Sequence, residues 1–197
     1  MNFPSVSGKN WLFRKFDSTD VTKFSENHSL TEIVAKLLSI RKINIKDINL
    51  FLDPKIKNLL PNPFRLKDMK NAIEKTYQTI LKKEIIGVFG DYDVDGASST
   101  ALLFRYFSSI KQKIQTYIPD RRTEGYGPNL TGFDYLISNG TKIIFTVDCG
   151  TQSFKPINYA QKLNIDVIVL DHHQSDIKLP SACAIVNPNR YDDTSGL

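Results

Sequence analysis

The sequence predicts an α/β fold: a mostly parallel five-stranded sheet with helices on both faces, preceded by a helical N-terminal extension. Apolar runs rich in β-branched residues predict strands at 85–89, 114–118, 143–147, 166–170 and 183–187. Amphipathic stretches between them predict helices near 97–110, 131–138 and 154–164. Strands and helices that alternate in this way form βαβ units, and the sheets of such units are mainly parallel.

The first 62 residues are expected to form a basic helical extension. The proline-containing connector at 59–64 marks its end, because proline punctuates regular structure. Within this extension, apolar residues at helical spacing predict the helices. The expected elements are helices within 30–40 and 45–52, with Trp11, Phe13 and Phe16 as hydrophobic anchors.

The α/β domain is expected to occupy residues 63–197 and to open on an amphipathic helix over 66–83. Its last predicted strand is followed by the turn-like residues 192–197. An α/β domain more naturally finishes on a helix that covers the sheet. We therefore expect this domain to be truncated at its C-terminal end.

Composition excludes several protein classes. No apolar stretch approaches the roughly 20 residues that a membrane-spanning helix needs. The start of the chain lacks the basic flank and apolar core of a signal peptide. The two cysteines, Cys149 and Cys183, do not form a Cys-x-x-Cys pair. A reduced, cytoplasmic setting is expected, without a membrane.

Charge is distributed unevenly along the chain, whose net charge is +5. Residues 1–83 carry 16 Lys or Arg against 8 Asp or Glu, whereas residues 84–197 carry 10 against 13. A basic leading segment beside an acid-rich domain favours a polyanionic substrate. A lysine-rich solvated surface accounts for the same counts, so charge alone leaves both interpretations open.

Three carboxylates follow the first predicted strand of the sheet at alternate positions: Asp91, Asp93 and Asp95. Carboxylates this close repel one another unless a cation joins them. They are expected at the carboxyl end of a strand, where open α/β sheets place their functional sites. Oxygen ligands suit hard cations such as Mg²⁺ or Mn²⁺.

Two later strands end in the same way. Asp148 follows the strand at 143–147, and Asp171, His172 and His173 follow the strand at 166–170. One imidazole can bind a metal while Asp171 or a backbone carbonyl holds its second nitrogen. The other imidazole can then reach a phosphate. Nitrogen beside oxygen ligands favours Mn²⁺ over Ca²⁺.

Two other interpretations of the acidic motif fit less well. A calcium-binding EF-hand loop that starts at Asp91 needs a bidentate glutamate at its twelfth position, where this chain has Leu102. A phosphatase of the haloacid dehalogenase type has a strand followed by Asp-x-Asp-Gly-Thr. The segment 93–97 comes close, but it lacks the threonine, and this interpretation leaves Asp171, His172 and His173 without a role.

A loop with arginine, glycine and tyrosine follows the second predicted strand, over residues 117–129. Arg121 presents a planar fork of donors that matches phosphate oxygens. Tyr126 can stack on a nucleic-acid base. An ordinary surface loop, with Tyr126 as a packing anchor, remains the alternative.

Together these segments resemble the DHH phosphoesterase family and, within it, the RecJ-type single-strand-specific exonucleases. The residues that carry the resemblance are Gly90–Leu102, Ile118–Gly127, Val147–Gly150 and Leu170–His173. Asp171-His172-His173 alone indicates only the superfamily. The loop from Pro119 to Gly127 points to the RecJ type rather than to inorganic pyrophosphatases or phosphodiesterases of small nucleotides.

The resemblance implies a site that holds two metal ions, Mn²⁺ or Mg²⁺. Its implied ligands are Asp93, Asp95, Asp148 and His172, with Asp91 and Asp171 in or next to the same shell. It also implies that His173 faces the scissile phosphate and that Arg121 lies near the terminal phosphate of the strand. The chemistry would be an in-line attack of water on a phosphodiester, assisted by both metals.

The implied function is that of a metal-dependent 5′→3′ exonuclease acting on single-stranded DNA in repair and recombination. Two alternatives stay open. One is a DHH phosphodiesterase of short oligonucleotides or cyclic dinucleotides. The other is a catalytically dead nucleic-acid-binding fragment, because RecJ-type proteins continue past position 197 with a further metal-binding aspartate and DNA-binding domains. The chain by itself is accordingly expected to cleave single-stranded DNA poorly or not at all.

Overall fold

A computed structural model describes residues 3–197, with side chains from Ser5 onward. The chain divides into two compact units, one up to Pro61 and the other over Asn62–Leu197. The first unit contains a short antiparallel pair and four helices. These are β1 (Phe3–Pro4), β2 (Asn10–Trp11), α1 (Ser18–His28), α2 (Glu32–Ile40), α3 (Ile48–Leu52) and α4 (Ile56–Leu59), with a 3₁₀ turn at Ile45–Asp47.

Helix α1 is an element that sequence patterns did not predict. The Asp17 carboxylate starts it by accepting the backbone N–H groups of Thr19 (2.8 Å) and Asp20 (3.2 Å). Val21 and Phe24, three residues apart on one face of α1, are buried in a small cluster with side chains from α2 and α3. The core of this unit therefore lies between helices.

The expectation that Trp11, Phe13 and Phe16 anchor the first segment is wrong. Trp11 is 67% exposed and Phe13 is 83% exposed. Phe16 is also exposed, with the Lys36 ammonium 5.2 Å from the centre of its ring. Phe13 and Phe16 lie before α1, in a stretch without helix or strand, so the residues of α1 supply the buried contacts instead.

The second unit contains the predicted α/β fold. Its helices are α5 (Met69–Leu81), α6 (Val94–Ser109), α7 (Arg121–Glu124), α8 (Leu130–Ser138) and α9 (Phe154–Lys162). Its strands are β3 (Ile85–Gly90), β4 (Ile114–Tyr117), β5 (Thr141–Val147), β6 (Asp166–Leu170) and β7 (Ala184–Val186). The strand order is β4-β3-β5-β6-β7, and all four neighbouring pairs are parallel.

Side chains alternate between the two faces of this sheet and build a core on each. On one face, Ile86 and Val88 of β3 pack in a cluster with residues of α5 and α6. On the other face, Phe89 packs with residues of α8 and α9. Both faces are covered, as parallel sheets require, and the predicted fold class is confirmed.

A buried guanidinium joins the end of the chain to the start of α5. Arg190 donates to Asp68 Oδ2 (2.6 Å), to Asp192 Oδ1 (2.6 Å) and to the carbonyl of Ile185 (2.6 Å). Asp68 also accepts the N–H of Ile185 (3.1 Å) on β7. The same carboxylate therefore holds the last strand of the sheet and the segment that follows it.

We expect Asp68→Asn to lower the free energy of unfolding by about 1.5–3 kcal/mol, because Arg190 stays buried after it loses a charged partner. Asparagine tolerates the left-handed backbone at this position (φ 61°). The matched control is Lys67→Met, since the Lys67–Asp192 pair is half exposed and should contribute less than about 1 kcal/mol. Urea denaturation of both variants measures the difference, and equal losses would contradict the role given to Asp68.

Candidate metal centre

The acidic residues lie where the sheet reverses its direction of winding. The chain passes from β3 outward to β4, and then returns to the other side of β3 to form β5. In open α/β sheets, such a reversal leaves a crevice at the carboxyl ends of the two central strands. Asp91 and Asp93 follow β3, and Asp148 follows β5. Both central strands therefore end in carboxylates at the crevice.

Asp93 is placed by the helix that it starts. Its Oδ1 atom accepts the backbone N–H groups of Asp95 (3.1 Å) and Gly96 (3.0 Å), which makes it the N-cap of α6. The helix therefore begins at Val94, three residues earlier than predicted. A side chain at Gly96 would collide with the backbone carbonyl of Asp91, so only glycine lets the helix approach this closely.

Two groups of ligand atoms share one carboxylate. The first comprises Asp91, Asp93 and Asp148, and the second comprises Asp148, His172 and His173; within each group the ligand atoms lie within 4.8 Å of one another. Asp148 belongs to both. Its backbone has the left-handed conformation (φ 60°), which is uncommon outside glycine and often accompanies a functional constraint.

Asp95 stands apart from these groups, although the sequence assigned it to the same site. It is exposed on the first turn of α6 and belongs to neither group of close ligand atoms among residues 3–197. It does line an open cavity of about 520 Å³ together with Asp148 and His172. Helical geometry explains the separation, because Asp93 turns inward to cap the helix while Asp95 lies in its first turn.

The carboxylates of the crevice are poorly compensated. Burial raises the pKa of Asp91 above its ordinary value. Burial, and then the neighbouring Asp93, raise the pKa of Asp148. The pKa of Asp93 is lowered, chiefly by the N–H of Gly96. A divalent cation would relieve this accumulation of negative charge, and the oxygen and nitrogen donors present fit Mn²⁺.

Asp171 does not belong to either ligand group, and instead it organises the two histidines. Its Oδ1 accepts the backbone N–H groups of His172 (2.7 Å) and His173 (3.1 Å) and the Nδ1 of His173 (2.7 Å). Burial raises the pKa of Asp171, but hydrogen bonds from Thr151 and His173 outweigh it, so the pKa is lowered. The hydrogen bond that His173 donates to Asp171 in turn raises the pKa of His173.

The histidines point to different neighbours. His172 Nε2 lies 3.0 Å from Asp148 Oδ1, which draws this ring into the acidic crevice. His173 Nε2 lies 3.3 Å from the hydroxyl of Tyr126. Partial desolvation first, and then nearby acids that include Asp91, raise the pKa of Tyr126 to about 12, although its ring is largely exposed. His173 therefore connects the acidic crevice to the loop that carries Tyr126.

The loop after β4 brings Arg121 and Tyr126 to the same crevice. The guanidinium of Arg121 lies 4.8 Å from the centre of the Tyr92 ring. Tyr92 stands between Asp91 and Asp93 in the chain. Glu124 braces the loop: it accepts the hydroxyl of Tyr117 (2.6 Å) and the N–H of Asp120 (2.9 Å). The sequence did not predict that Glu124 braces the loop, although it lies between Pro119 and Gly127.

Known proteins share the segment that carries this crevice. Residues 85–197 match the DHH family, N-terminal domain. The chain belongs to the DHH family. The single-stranded-DNA-specific exonuclease RecJ of Bacillus subtilis is 35% identical over 186 residues, and that of Escherichia coli is 37% identical over 142 residues. These matches cover 94% and 72% of the chain, but only 24% of each relative.

Solved structures of RecJ share this DHH fold. A crystal structure of exonuclease RecJ bound to manganese has a TM-score of 0.60 and 29% identity, and it covers 66% of this chain and 33% of the other. RecJ from Thermus thermophilus in complex with Mn²⁺ has a TM-score of 0.66 over 90% of this chain and 24% of the other. At 21% identity, the second comparison establishes the fold alone.

The chain therefore spans about a quarter of the length of the curated relatives it matches. Within residues 3–197, none of the helices is both long and apolar enough to cross a membrane. The match to the DHH family coincides with the segment that carries the acidic crevice and both histidines.

Proposed function

We propose that this chain is the metal-dependent phosphodiesterase core of a RecJ-type exonuclease, which hydrolyses single-stranded DNA from its 5′ end in DNA repair and recombination. The observation that carries the proposal is that Asp148 lies close to Asp91 and Asp93 on one side and to His172 on the other, a position from which one carboxylate could join two cations. The similarity to RecJ exonucleases supports the choice of substrate.

The proposed ligands are Asp91, Asp93, Asp148 and His172, with Asp95 at the edge of the same cavity. Two Mn²⁺ or Mg²⁺ ions held there would supply Lewis-acid stabilisation of charge on the phosphate and lower the pKa of the attacking water. RecJ structures that contain manganese support Mn²⁺ as the first ion to test.

The remaining residues would bind and orient the DNA. Asp171 accepts from the Nδ1 atom of His173, so the protonated ring would donate to the scissile phosphate through Nε2. Arg121 would bind the terminal phosphate through its guanidinium. Tyr126, 61% exposed, offers a ring on which the terminal base can stack.

Single-stranded DNA is accordingly the proposed partner, and the cytoplasm the proposed site of action. The two cysteines are free, with Cys149 buried and Cys183 partly buried. Free thiols are typical of proteins that work in a reducing compartment. Fractionation of cells that express the tagged chain would test this location.

The deciding experiment is digestion of a 5′-phosphorylated single strand by the purified chain with Mn²⁺. We expect mononucleotide products that appear from the 5′ end, and no products with Asp148→Asn, which tolerates the left-handed backbone at this position. A duplex and a cyclic dinucleotide serve as comparison substrates. Preference for the dinucleotide, or DNA binding without cleavage by the unmodified chain, would contradict the proposal.

Arg121 offers a test of the proposed polarity. We expect Arg121→Ala to weaken cleavage of 5′-phosphorylated strands by about 10- to 150-fold relative to strands that begin with a hydroxyl, because a charge-assisted hydrogen bond contributes about 1.5–3 kcal/mol. The matched control is Arg122→Ala, which removes the same charge from the adjacent exposed position. Competition between the two substrates measures the ratio of their cleavage rates. An equal loss on both would mean that Arg121 attracts DNA only through its charge and does not recognise the terminal phosphate.

A further inference from the structure

Asn187 joins the loops that follow three neighbouring strands of the sheet, β5, β6 and β7. It follows β7 directly and is completely buried. Its Nδ2 atom donates to the hydroxyl of Thr151 (2.8 Å), in the loop after β5, and to the carbonyl of His173 (2.9 Å), in the loop after β6. Its Oδ1 atom accepts the N–H of Asn189 (2.8 Å). One amide side chain therefore connects three strand ends.

The direction of each hydrogen bond in this group follows from chemistry. An amide nitrogen can only donate, so the hydroxyl of Thr151 must accept from Asn187. The hydroxyl proton of Thr151 is then free for the carboxylate of Asp171, which also accepts the Thr151 N–H (3.0 Å). Asp171 is an ionised acceptor here, so His173 must donate through Nδ1.

The consequence concerns the second nitrogen of His173. Because Nδ1 carries a proton, the neutral ring has its lone pair on Nε2, facing the hydroxyl of Tyr126. Free imidazole side chains in water favour the opposite tautomer, with the proton on Nε2. The protein must therefore impose the observed arrangement, and the partner of the other nitrogen is what normally does so.

We propose that Asn187 and Thr151 are positioning residues, which hold Asp171 and His173 so that Nε2 of His173 points toward the phosphodiester and donates to it when the ring carries a second proton. This inference rests on the proposed function for its substrate, but its geometry concerns the metal-free protein. Asn189 donates to the carbonyl of His172 and is exposed, so it holds the backbone of the neighbouring residue without entering the Asp171 group.

The test is nitrogen NMR of the metal-free chain labelled with ¹⁵N-histidine, under mildly alkaline conditions in which imidazole is neutral. The chain has 3 histidines, and His28 lies in the first unit as an internal reference. We expect His173 to be in the Nδ1–H tautomer in the unmodified chain. Thr151→Val and Asn187→Ala should let Asp171 and His173 move apart and thereby shift the tautomer toward Nε2–H, whereas Thr151→Ser and Asn189→Ala should leave it unchanged.

Activity gives the second measurement. Loss of such a supporting bond typically lowers activity by about 10- to 100-fold, and we expect the loss in kcat rather than in KM. Thr151→Ser should keep the activity that Thr151→Val loses, because serine retains the hydroxyl. If Asn187→Ala fails to fold, the pair Thr151→Val and Thr151→Ser still decides the matter.

The outcomes separate the two proposals. An unchanged His173 tautomer in Thr151→Val would overturn the positioning role, whatever the activity. A shifted tautomer in a chain that never cleaves DNA would support the positioning role and count against the proposed function.

Discussion

Replacing Asp93 with asparagine is expected to lower Mn²⁺-dependent cleavage of single-stranded DNA by about 100-fold or more while leaving the fold intact. The change removes a carboxylate from the proposed cation site at almost constant volume. Asparagine caps helices as well as aspartate does, so the N–H groups of Asp95 and Gly96 keep their acceptor. Cleavage rates and Mn²⁺ affinity, each measured on the purified variant, test the prediction.

Two further variants make this result specific. Asp93→Ala should lose the metal site and also the cap of α6, at a cost of about 0.5–2 kcal/mol in unfolding free energy. Asp176→Asn makes the same chemical change at an exposed position outside both ligand groups and should leave cleavage unchanged. Full activity in Asp93→Asn would falsify the assignment of this residue to the metal site.

The second large effect concerns the stability of the metal-free protein. Replacing either of two buried aspartates of the crevice with asparagine should change this stability in different directions. Asp171→Asn should destabilise the metal-free protein by about 1–3 kcal/mol, because an amide cannot accept from all the donors that surround this side chain. Asp91→Asn should be neutral or stabilising. Asp91 Oδ1 accepts the N–H of Tyr92, an acceptor role that asparagine keeps, and burial raises the pKa of its carboxyl.

The pH dependence of stability follows from the same shifts. The lowered pKa of Asp171 means that its ionised form stabilises the fold above the unfolded pKa, and that this contribution is lost as pH falls through the folded value. The raised pKa of Asp91 has the opposite effect, since stability is lost as pH rises through its folded value. The two variants should therefore differ most near neutral pH and converge only as pH falls through the lowered folded pKa of Asp171.

Thermal or urea unfolding of both variants in the presence of a chelator measures this difference. The chelator matters because a bound cation would stabilise Asp91 and reverse the expected sign. Equal destabilisation by the two substitutions would mean that hydrogen bonds do not distinguish Asp171 from Asp91.

Much of the sheet could be predicted from local patterns. The strand at 166–170 has the predicted bounds, and β4 ends one residue earlier than predicted, at Tyr117. The middle of β6 is buried on both faces, so its continuous apolar, β-branched run identifies it directly. Helix α1 was missed because its core-facing residues, Val21 and Phe24, lie in an otherwise polar segment.

The residue types of the site could also be predicted, because acids that gather at the ends of apolar strands repel one another unless they bind a cation. The sequence by itself therefore determined the α/β class, the resemblance to the DHH family and the gathering of the acids at the carboxyl edge of the sheet. Each of these depends on residues close together in the chain, where spacing of two or 3.6 residues has a direct structural meaning.

Only the tertiary structure decided how those residues combine. Strand order places β3 beside β5, which lets Asp148 join both ligand groups, while the cap of α6 separates Asp93 from Asp95. Asn187 and Thr151 carry no sequence signal, because a single amide or hydroxyl resembles any other polar residue until the fold encloses it. Contacts between distant segments are set by packing, and packing is a property of the assembled sheet rather than of any one stretch of chain.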